Sequence, residues 1–206
     1  MLHQLVPMYE MEQQLRQRGY CAIAGVDEAG RGPLAGPVVA AAVILPIDYR
    51  NDAIQDSKKL SPLQREHLFE EIIRVAVSYG IGKVSAAHID KTDILTASKL
   101  AMRKAILKLQ PLPDFILTDA VPVNIADIPQ MPMIDGDARS FVIAAASILA
   151  KVTRDRDMHS FHKKHPHYGF DQHMGYGTPI HLKAIEIHGP CRIHRMSFAP
   201  LRSIVN

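Results

Sequence analysis

The sequence predicts an α/β domain with a central mixed five-stranded sheet flanked by helices, plus a small C-terminal helical segment. Three observations carry this. Short runs of strand character open the chain at Ala22–Val26, Val38–Leu45 and Ser78–Ser85. Two more follow at Phe115–Thr118 and Met131–Ile134, separated from the first three by stretches with helical spacing of apolar residues. Strands that alternate with helices in this way build a sheet covered by helices.

Each element has a local reason. Residues 1–20 are a polar lead-in with one helix around Tyr9–Arg18. Ala22–Val26 is short and apolar, which fits a buried strand, and Val38–Leu45 is an apolar, β-branched second one. Ser61-Pro62-Leu63-Gln64 starts a helix: Ser61 can cap, Pro62 suits the first turn and Gln64 completes a capping box. Leu68, Ile72 and Val75 then share one helical face. Ser78–Ser85 resembles a third strand interrupted by Gly80 and Gly82. Thr92–Gln110 is a helix with Ile94, Ala97, Ala101 and Ala105 along it, ended by Pro111 and Pro113. Ser140–Asp157 is a helix that is apolar nearly all round at Phe141–Ala146, which implies burial. The remainder is His-rich and loop-rich, with one helix at Pro179–Ile187.

Composition narrows the class. A chain of 206 residues and 22.9 kDa suits one domain with a small appendage. With 47% hydrophobic and 22% charged residues it can bury enough surface to offset its ordering entropy, which excludes disorder as the main description. The longest stretch without a charged side chain, Gly32–Ile47, carries two Gly and three Pro and falls short of the roughly 18 apolar residues a bilayer needs. No basic start precedes an apolar run, so no signal peptide is expected. Cys21 and Cys191 are far apart, so no disulfide framework is expected and a reducing cytoplasm is the expected compartment. From Lys151 onward nine Lys/Arg stand against four Asp/Glu, and eight of the 11 His lie there too. A basic tail beside a slightly acidic body suits a polyanion that touches both, although charge alone is equally explained by a solvated basic face.

Acids collect at strand ends. Val26 leads to Asp27-Glu28, Thr118 to Asp119, and Ile134 to Asp135-Gly136-Asp137. In open α/β sheets ligands bind at the carboxyl ends of strands. Carboxylates meeting there need a cation between them, and hard divalent ions take oxygen ligands. Two such ions can hold the attacking and leaving oxygens of an in-line phosphoryl displacement. Turns also favour Asp, so a metal site and plain turn chemistry both stay open here. Asp27 and Glu28 share a site only if the strand twists or bulges, because neighbours on a flat strand point to opposite faces.

The turn Gly30-Arg31-Gly32-Pro33-Leu34-Ala35-Gly36 is not a dinucleotide fingerprint. Its spacing is wrong, and Pro33 and Pro37 prevent a helix from opening there. It reads as a backbone surface that a ligand can approach, with Arg31 adding charge for a phosphate, and equally as a tight hairpin-like turn. Asp56-Ser57-Lys58-Lys59 can hold backbone phosphate or be a surface loop. Tyr176, between Gly175 and Gly177, can stack on a sugar or base or be an ordinary half-buried loop residue. His165, His167 and His173 lack zinc-signature spacing.

Together these residues resemble a family. Gly25-Val-Asp27-Glu28-Ala-Gly30-Arg31-Gly32-Pro-Leu-Ala-Gly36-Pro-Val is similar to the first motif of bacterial ribonuclease HII, and Asp56-Ser-Lys-Lys-Leu-Ser61 to its second. Asp119 resembles the third acid. Gly136-Asp137 followed by Ile143 through Lys151 to Arg154-Asp155 resembles the fourth acid and its helix. Tyr168 through His173 to Gly175-Tyr176-Gly-Thr178 and His194-Arg-Met-Ser-Phe198 resemble the C-terminal signatures.

The resemblance implies a ribonuclease H-like fold and a metal-dependent endonuclease. Its substrates would be the RNA strand of RNA/DNA hybrids and single ribonucleotides embedded in duplex DNA, cut on their 5′ side. It implies roles in ribonucleotide removal from DNA and in RNA primer removal. Asp27, Glu28, Asp119 and Asp137 would be the catalytic acids and hold two ions, Mg²⁺ or Mn²⁺, with Asp27 shared and 3′-hydroxyl and 5′-phosphate products. Gly30, Arg31 and Gly32 would read the 2′-hydroxyl, Tyr176 would contact it and stack on the next sugar, and Ser57, Lys58 and Lys59 would hold phosphates. The expected division is a lead-in helix over 1–20, a catalytic domain over 21–160 and a basic, His-rich substrate-binding segment over 161–206. A monomer without membrane association is expected. Two departures stand out: Asp135 where the family usually has Lys, and Met196 where it usually has a second Arg.

Overall fold

The computed structural model describes residues 8–125 and 127–203. Helix α1 (Glu10–Gln17) precedes strands β1 (Ile23–Ala29) and β2 (Val38–Ile44). A 3₁₀ turn at Ser57–Lys59 leads into α2 (Pro62–Val75), then β3 (Ser78–Val84), α3 (Ala86–Lys91) and α4 (Ile94–Ile106). Strands β4 (Phe115–Asp119) and β5 (Gln130–Met133) are followed by α5 (Gly136–Arg139) and the long α6 (Phe141–Lys164). Short α7 (Phe170–His173) and α8 (Pro179–His188) follow, and a 3₁₀ turn at Leu201–Ser203 is the last element among the described residues.

The five strands form one sheet in the order β3-β2-β1-β4-β5. β1, β2 and β3 pair antiparallel, while β1, β4 and β5 run parallel. Strand alternation divides the side chains between two cores. Ile23, Ala41, Val43 and Leu117 face α6, with α1 and α2 on the same side. Ala24, Val26, Ala40, Ala42 and Ile116 face α4 on the other. Helix α6 is buried through its first three turns, as its all-round apolarity predicts. It lies so close to β1 that a Cβ on Gly25 would strike the backbone at Val142. Glu12 of α1, itself buried, accepts from Ser140 Oγ at 2.7 Å and Val142 N at 3.1 Å, so a carboxylate sits on the N-terminus of α6.

Several boundaries differ from expectation for local reasons. The capping box at Ser61–Gln64 is present. The helix expected over Thr92–Gln110 starts at Ile94, because the Asp93 side chain accepts from Thr96 N at 2.9 Å and fixes the cap there. Strand β5 ends at Met133, leaving Ile134 exposed. Gly80 and Gly82 do not interrupt β3, which pairs with β2 along its whole length. Their missing side chains let α4 rest on the sheet. The Gly-rich connection is a broad loop over Gly30–Pro37 rather than a tight turn, and it bridges to the tail at Ala35 and His194. Residue 160 falls inside α6, whose last turns carry a small separate core of Leu34, Met158, Tyr168, Phe170, Ile185 and Leu201. Among the described residues no helix is long and apolar enough to cross a membrane.

A Cβ placed on Gly82 falls on the Ala101 carbonyl. Gly82→Ala is therefore expected to lower stability by about 1–3 kcal/mol, read from the denaturation midpoint. An unchanged midpoint would show that α4 does not need this close approach.

Candidate active site

Sheet register assembles the acids. The parallel pairing of β1 with β4 sets Val26 opposite Thr118, so the next residues, Asp27 and Asp119, stand on neighbouring strands where both end. β4 in turn pairs Asp119 with Met133 of β5, and two residues later the chain turns into α5, which carries Asp137. The turn is pinned from both sides: Asp135 takes a left-handed φ of 53°, and Gly136 N donates to Asp119 Oδ1 at 2.8 Å. Asp27, Glu28 and Asp119 line one cleft of about 290 Å³, so the adjacent pair does share a site at the end of β1. Gly30, Arg31, Gly32, Ser57, Lys58 and Tyr176 line it with them. Asp137 stands behind Lys58, whose Nζ lies 3.1 Å from its Oδ2. Lys59 is exposed and not part of the lining, and neither is exposed Asp135.

The carboxylates are held at electrostatic cost. Burial, then the charges of Glu28, Asp119 and Asp137, push Asp27 well above the usual carboxylate range, against one favourable bond from the Glu28 amide at 2.7 Å. Burial also raises Glu28, opposed by Arg31 at 3.3 Å. Asp137 is raised by burial, opposed by Lys58. Burial alone would lower Lys58, but its bond to Asp137 together with the charges of Asp137, Asp56 and Asp27 raises it. Both cationic partners are surface-reaching side chains, and Glu28 Oε2 is buried without a partner among the described residues. Among those residues no three acidic, histidine or cysteine groups stand as a set that could hold a metal ion in the positions shown.

The Gly-rich loop is shaped from beneath by two buried guanidiniums. Arg195 donates to the carbonyls of Gly30, Arg31 and Gly36, at 2.8 Å for Arg31. Arg154 donates to those of Ala35, Pro37 and Met174. A trans peptide points its N–H opposite its C=O. Turning the Gly30 and Arg31 carbonyls onto Arg195 therefore turns the Arg31 and Gly32 amides away from it. Neither amide has a hydrogen-bond partner among the described residues. Gly30, at φ 94°, has no room for a side chain, because a Cβ would strike Arg154. Gly32 faces the Tyr176 ring, with 3.7 Å between its Cβ position and Cε1. The lysine turn is built similarly: the Asp56 side chain accepts from Lys58 N at 2.9 Å, and Arg65 holds the Ser57 and Leu60 carbonyls.

Three cleft residues are absent from the sequence-based set. Ser147, Lys151 and Arg154 line it from α6. Their signal is visible as polar residues at i, i+4 and i+7 along an otherwise apolar helix, one stripe of a helical face. Arg195 was visible only as part of a closing motif. Met196 beside it is tied down by its amide, which donates to Asp90 Oδ2 at 3.0 Å.

The geometry now meets its relatives. The ribonuclease HII profile matches residues 24–201. The chain belongs to the ribonuclease HII family. Ribonuclease HII of Geobacillus thermodenitrificans is 56% identical over 191 residues, which is 93% of this chain and 73% of that one. The crystal structure of ribonuclease H2 from Pyrococcus horikoshii superposes with a TM-score of 0.74 at 28% identity, covering 88% of this chain and 96% of that one. A ribonuclease HII from Archaeoglobus fulgidus, solved in complex with PCNA, gives 0.73 at 28% identity, covering 86% and 95%. The fold is thus that of ribonuclease H, and membership of the ribonuclease HII family makes the chain a ribonuclease H, an enzyme family that depends on divalent metal.

A raised carboxylate pKa means that the folded state carries a strained negative charge above it. That strain disappears once pH falls below the ordinary Asp value, where both folded and unfolded chains are protonated. Asp27→Asn, measured without divalent ions, is expected to raise the melting temperature at pH 7 by about 2–4 °C for each kcal/mol relieved, with the gain vanishing towards pH 3. A variant that melts lower at pH 7 would contradict the repulsion.

Proposed function

We propose that the chain is an endonuclease that hydrolyses the RNA strand of RNA/DNA hybrids and cuts on the 5′ side of single ribonucleotides embedded in duplex DNA. The products are 3′-hydroxyl and 5′-phosphate ends. The observation that carries this reading is the juxtaposition, in one cleft, of three carboxylates with the Gly30–Gly32 backbone and the Tyr176 ring. A 2′-hydroxyl is both donor and acceptor and is what distinguishes RNA from DNA. The free Arg31 and Gly32 amides can donate to it, and the Tyr176 ring, 47% exposed, can stack on the neighbouring sugar. A deoxyribose offers those amides nothing.

The donor set suits hard divalent cations: every candidate ligand is a carboxylate oxygen, Glu28 Oε2 is buried and unpartnered, and buried negative charge is only partly balanced. Asp27, Glu28, Asp119 and Asp137 would hold two ions, Mg²⁺ or Mn²⁺, with Asp27 shared because it feels the charge of the other three. Bound there, the ions supply the Lewis acidity for in-line hydrolysis, activating water and stabilising the leaving 3′-oxygen. Arg31 and Lys58, paired to Glu28 and Asp137 in this structure, are free to turn to backbone phosphates once cations replace them. Ser57, Lys58 and exposed Lys59 form the phosphate-holding turn, and the basic segment over 161–206 supplies Tyr176 and part of the binding face. The reading assigns the enzyme to ribonucleotide removal from DNA and RNA primer removal in the cytoplasm, acting as a monomer.

The test is a duplex bearing one embedded ribonucleotide, beside an all-DNA control. Cleavage 5′ of the ribonucleotide with Mg²⁺ or Mn²⁺ is expected, abolished by EDTA, with the control intact. Asp27→Asn should lower the rate by about 10²-fold or more, since the interaction it removes is worth several kcal/mol. A 2′,3′-cyclic phosphate product, or cutting of the control, would overturn the reading.

A further inference from the structure

Tyr176 presents its ring at the cleft, yet its backbone is bolted to a histidine cluster behind it. His181 and His194 are 0% and 2% exposed, and His173 stacks on His181 with ring centres 4.4 Å apart. Each ring nitrogen of the His181–His194 pair has a partner, and the protons can be assigned from both ends. The Tyr176 carbonyl only accepts, so His181 Nδ1, 2.8 Å away, carries the proton. In a neutral ring His181 Nε2 is then bare, and His194 Nε2, 3.1 Å away, must donate to it. That leaves His194 Nδ1 bare to accept from the Cys191 amide at 2.8 Å. The Cys191 carbonyl is already served by the His194 amide at 2.9 Å. The result is a one-way chain: Cys191 N–H to His194, His194 to His181, His181 to the Tyr176 carbonyl.

A second anchor acts on the other side. The His173 Nε2 proton goes to the Tyr168 carbonyl at 2.8 Å, and its Nδ1 accepts from Gly175 N at 3.2 Å, while its own carbonyl accepts from Tyr176 N at 2.9 Å. His181 itself sits in the first turn of α8, whose cap Thr178 accepts from His181 N. Two apolar rings would fill the same space; only imidazoles with fixed tautomers also complete the backbone bonds.

We infer that the Cys191–His194–His181 chain fixes the position of Tyr176 against the sugar, which makes His181 and His194 positioning residues for ribose recognition. This rests on the reading of Tyr176 given above. Burial, chiefly, pushes both rings down to about 4, which keeps them neutral and the chain intact near neutral pH. A second proton on His181 would set two N–H groups against each other across 3.1 Å, and one on His194 would face the Cys191 N–H across 2.8 Å.

Two measurements test this. ¹⁵N-edited NMR of the wild-type enzyme at pH 7 should show His181 protonated at Nδ1 and His194 at Nε2, both neutral. The opposite tautomer at either ring overturns the chain, whatever the variants do. Kinetics on the single-ribonucleotide duplex then test its purpose. His181→Phe should raise KM roughly tenfold, the scale of one lost buried hydrogen bond. His181→Asn, which keeps a donor near Nδ1, should restore most of it. In a Tyr176→Ala background His181→Phe should add nothing, since both act through one ring. A fall in kcat at unchanged KM, unrescued by Asn, marks a purely structural role and overturns the proposal. If Tyr176→Ala impairs cleavage while His181→Phe does not, the histidine chain alone is wrong. If Tyr176→Ala has no effect, the reading of Tyr176 falls and this proposal with it.

Discussion

Four carboxylates placed where three parallel strands end repel one another, and the surrounding architecture exists in a form that withstands this. Asp27 carries the heaviest load, because it is buried and flanked by Glu28, Asp119 and Asp137. Hydrophobic burial on both faces of the sheet supplies the stability that offsets the repulsion. The register of β1 with β4 and of β4 with β5 leaves the acids no freedom to separate along the strands. Helix α6 then closes the site from one side. A buried cluster of like charge, balanced among the described residues by the solvent-reaching Arg31 and Lys58, is the feature on which the proposed cation site rests.

The same logic governs the Gly30–Pro37 loop. Burying Arg154 and Arg195 without carboxylate partners is unfavourable, and burial pushes Arg195 down to about 9. What offsets this is a set of backbone carbonyls that would otherwise be unsatisfied in the interior. The guanidiniums fix the loop's peptide planes in advance, so the amides proposed to meet the 2′-hydroxyl would need no reorganisation. In the proposed histidine chain the cluster would do for Tyr176 what the arginines do for the loop. Both supports lie in or against the small core carried by the end of α6, which explains why the tail is packed onto that helix and the Gly30–Pro37 loop rather than hanging free.

Much of this was legible before any coordinates. The five strands, the capping box at Ser61 and the buried α6 follow from periodicity and cap chemistry. The four acids and the Gly30–Gly32 turn stood out as acids at strand ends and glycines flanking an arginine. What sequence could not give was register, which alone puts Asp119 beside Asp27. It also missed reasons that depend on a partner element: Gly80 and Gly82 look like breaks in a strand until α4 lies on them. Arg154 and Arg195 look like surface charge until the loop folds over them. His173, His181 and His194 looked like part of a basic tail, although they are buried and engaged with backbone groups. In each case a polar or small residue has its meaning fixed by a contact distant in sequence.

The central claim is that these four side chains form one cation-binding site. The most direct measurement is anomalous diffraction from crystals soaked in Mn²⁺. The account predicts ions bridged by Asp27 and completed by Glu28, Asp119 and Asp137, with Lys58 and Arg31 swung away from their carboxylates. Manganese bound only elsewhere, with the Lys58–Asp137 and Arg31–Glu28 pairs intact, would contradict it.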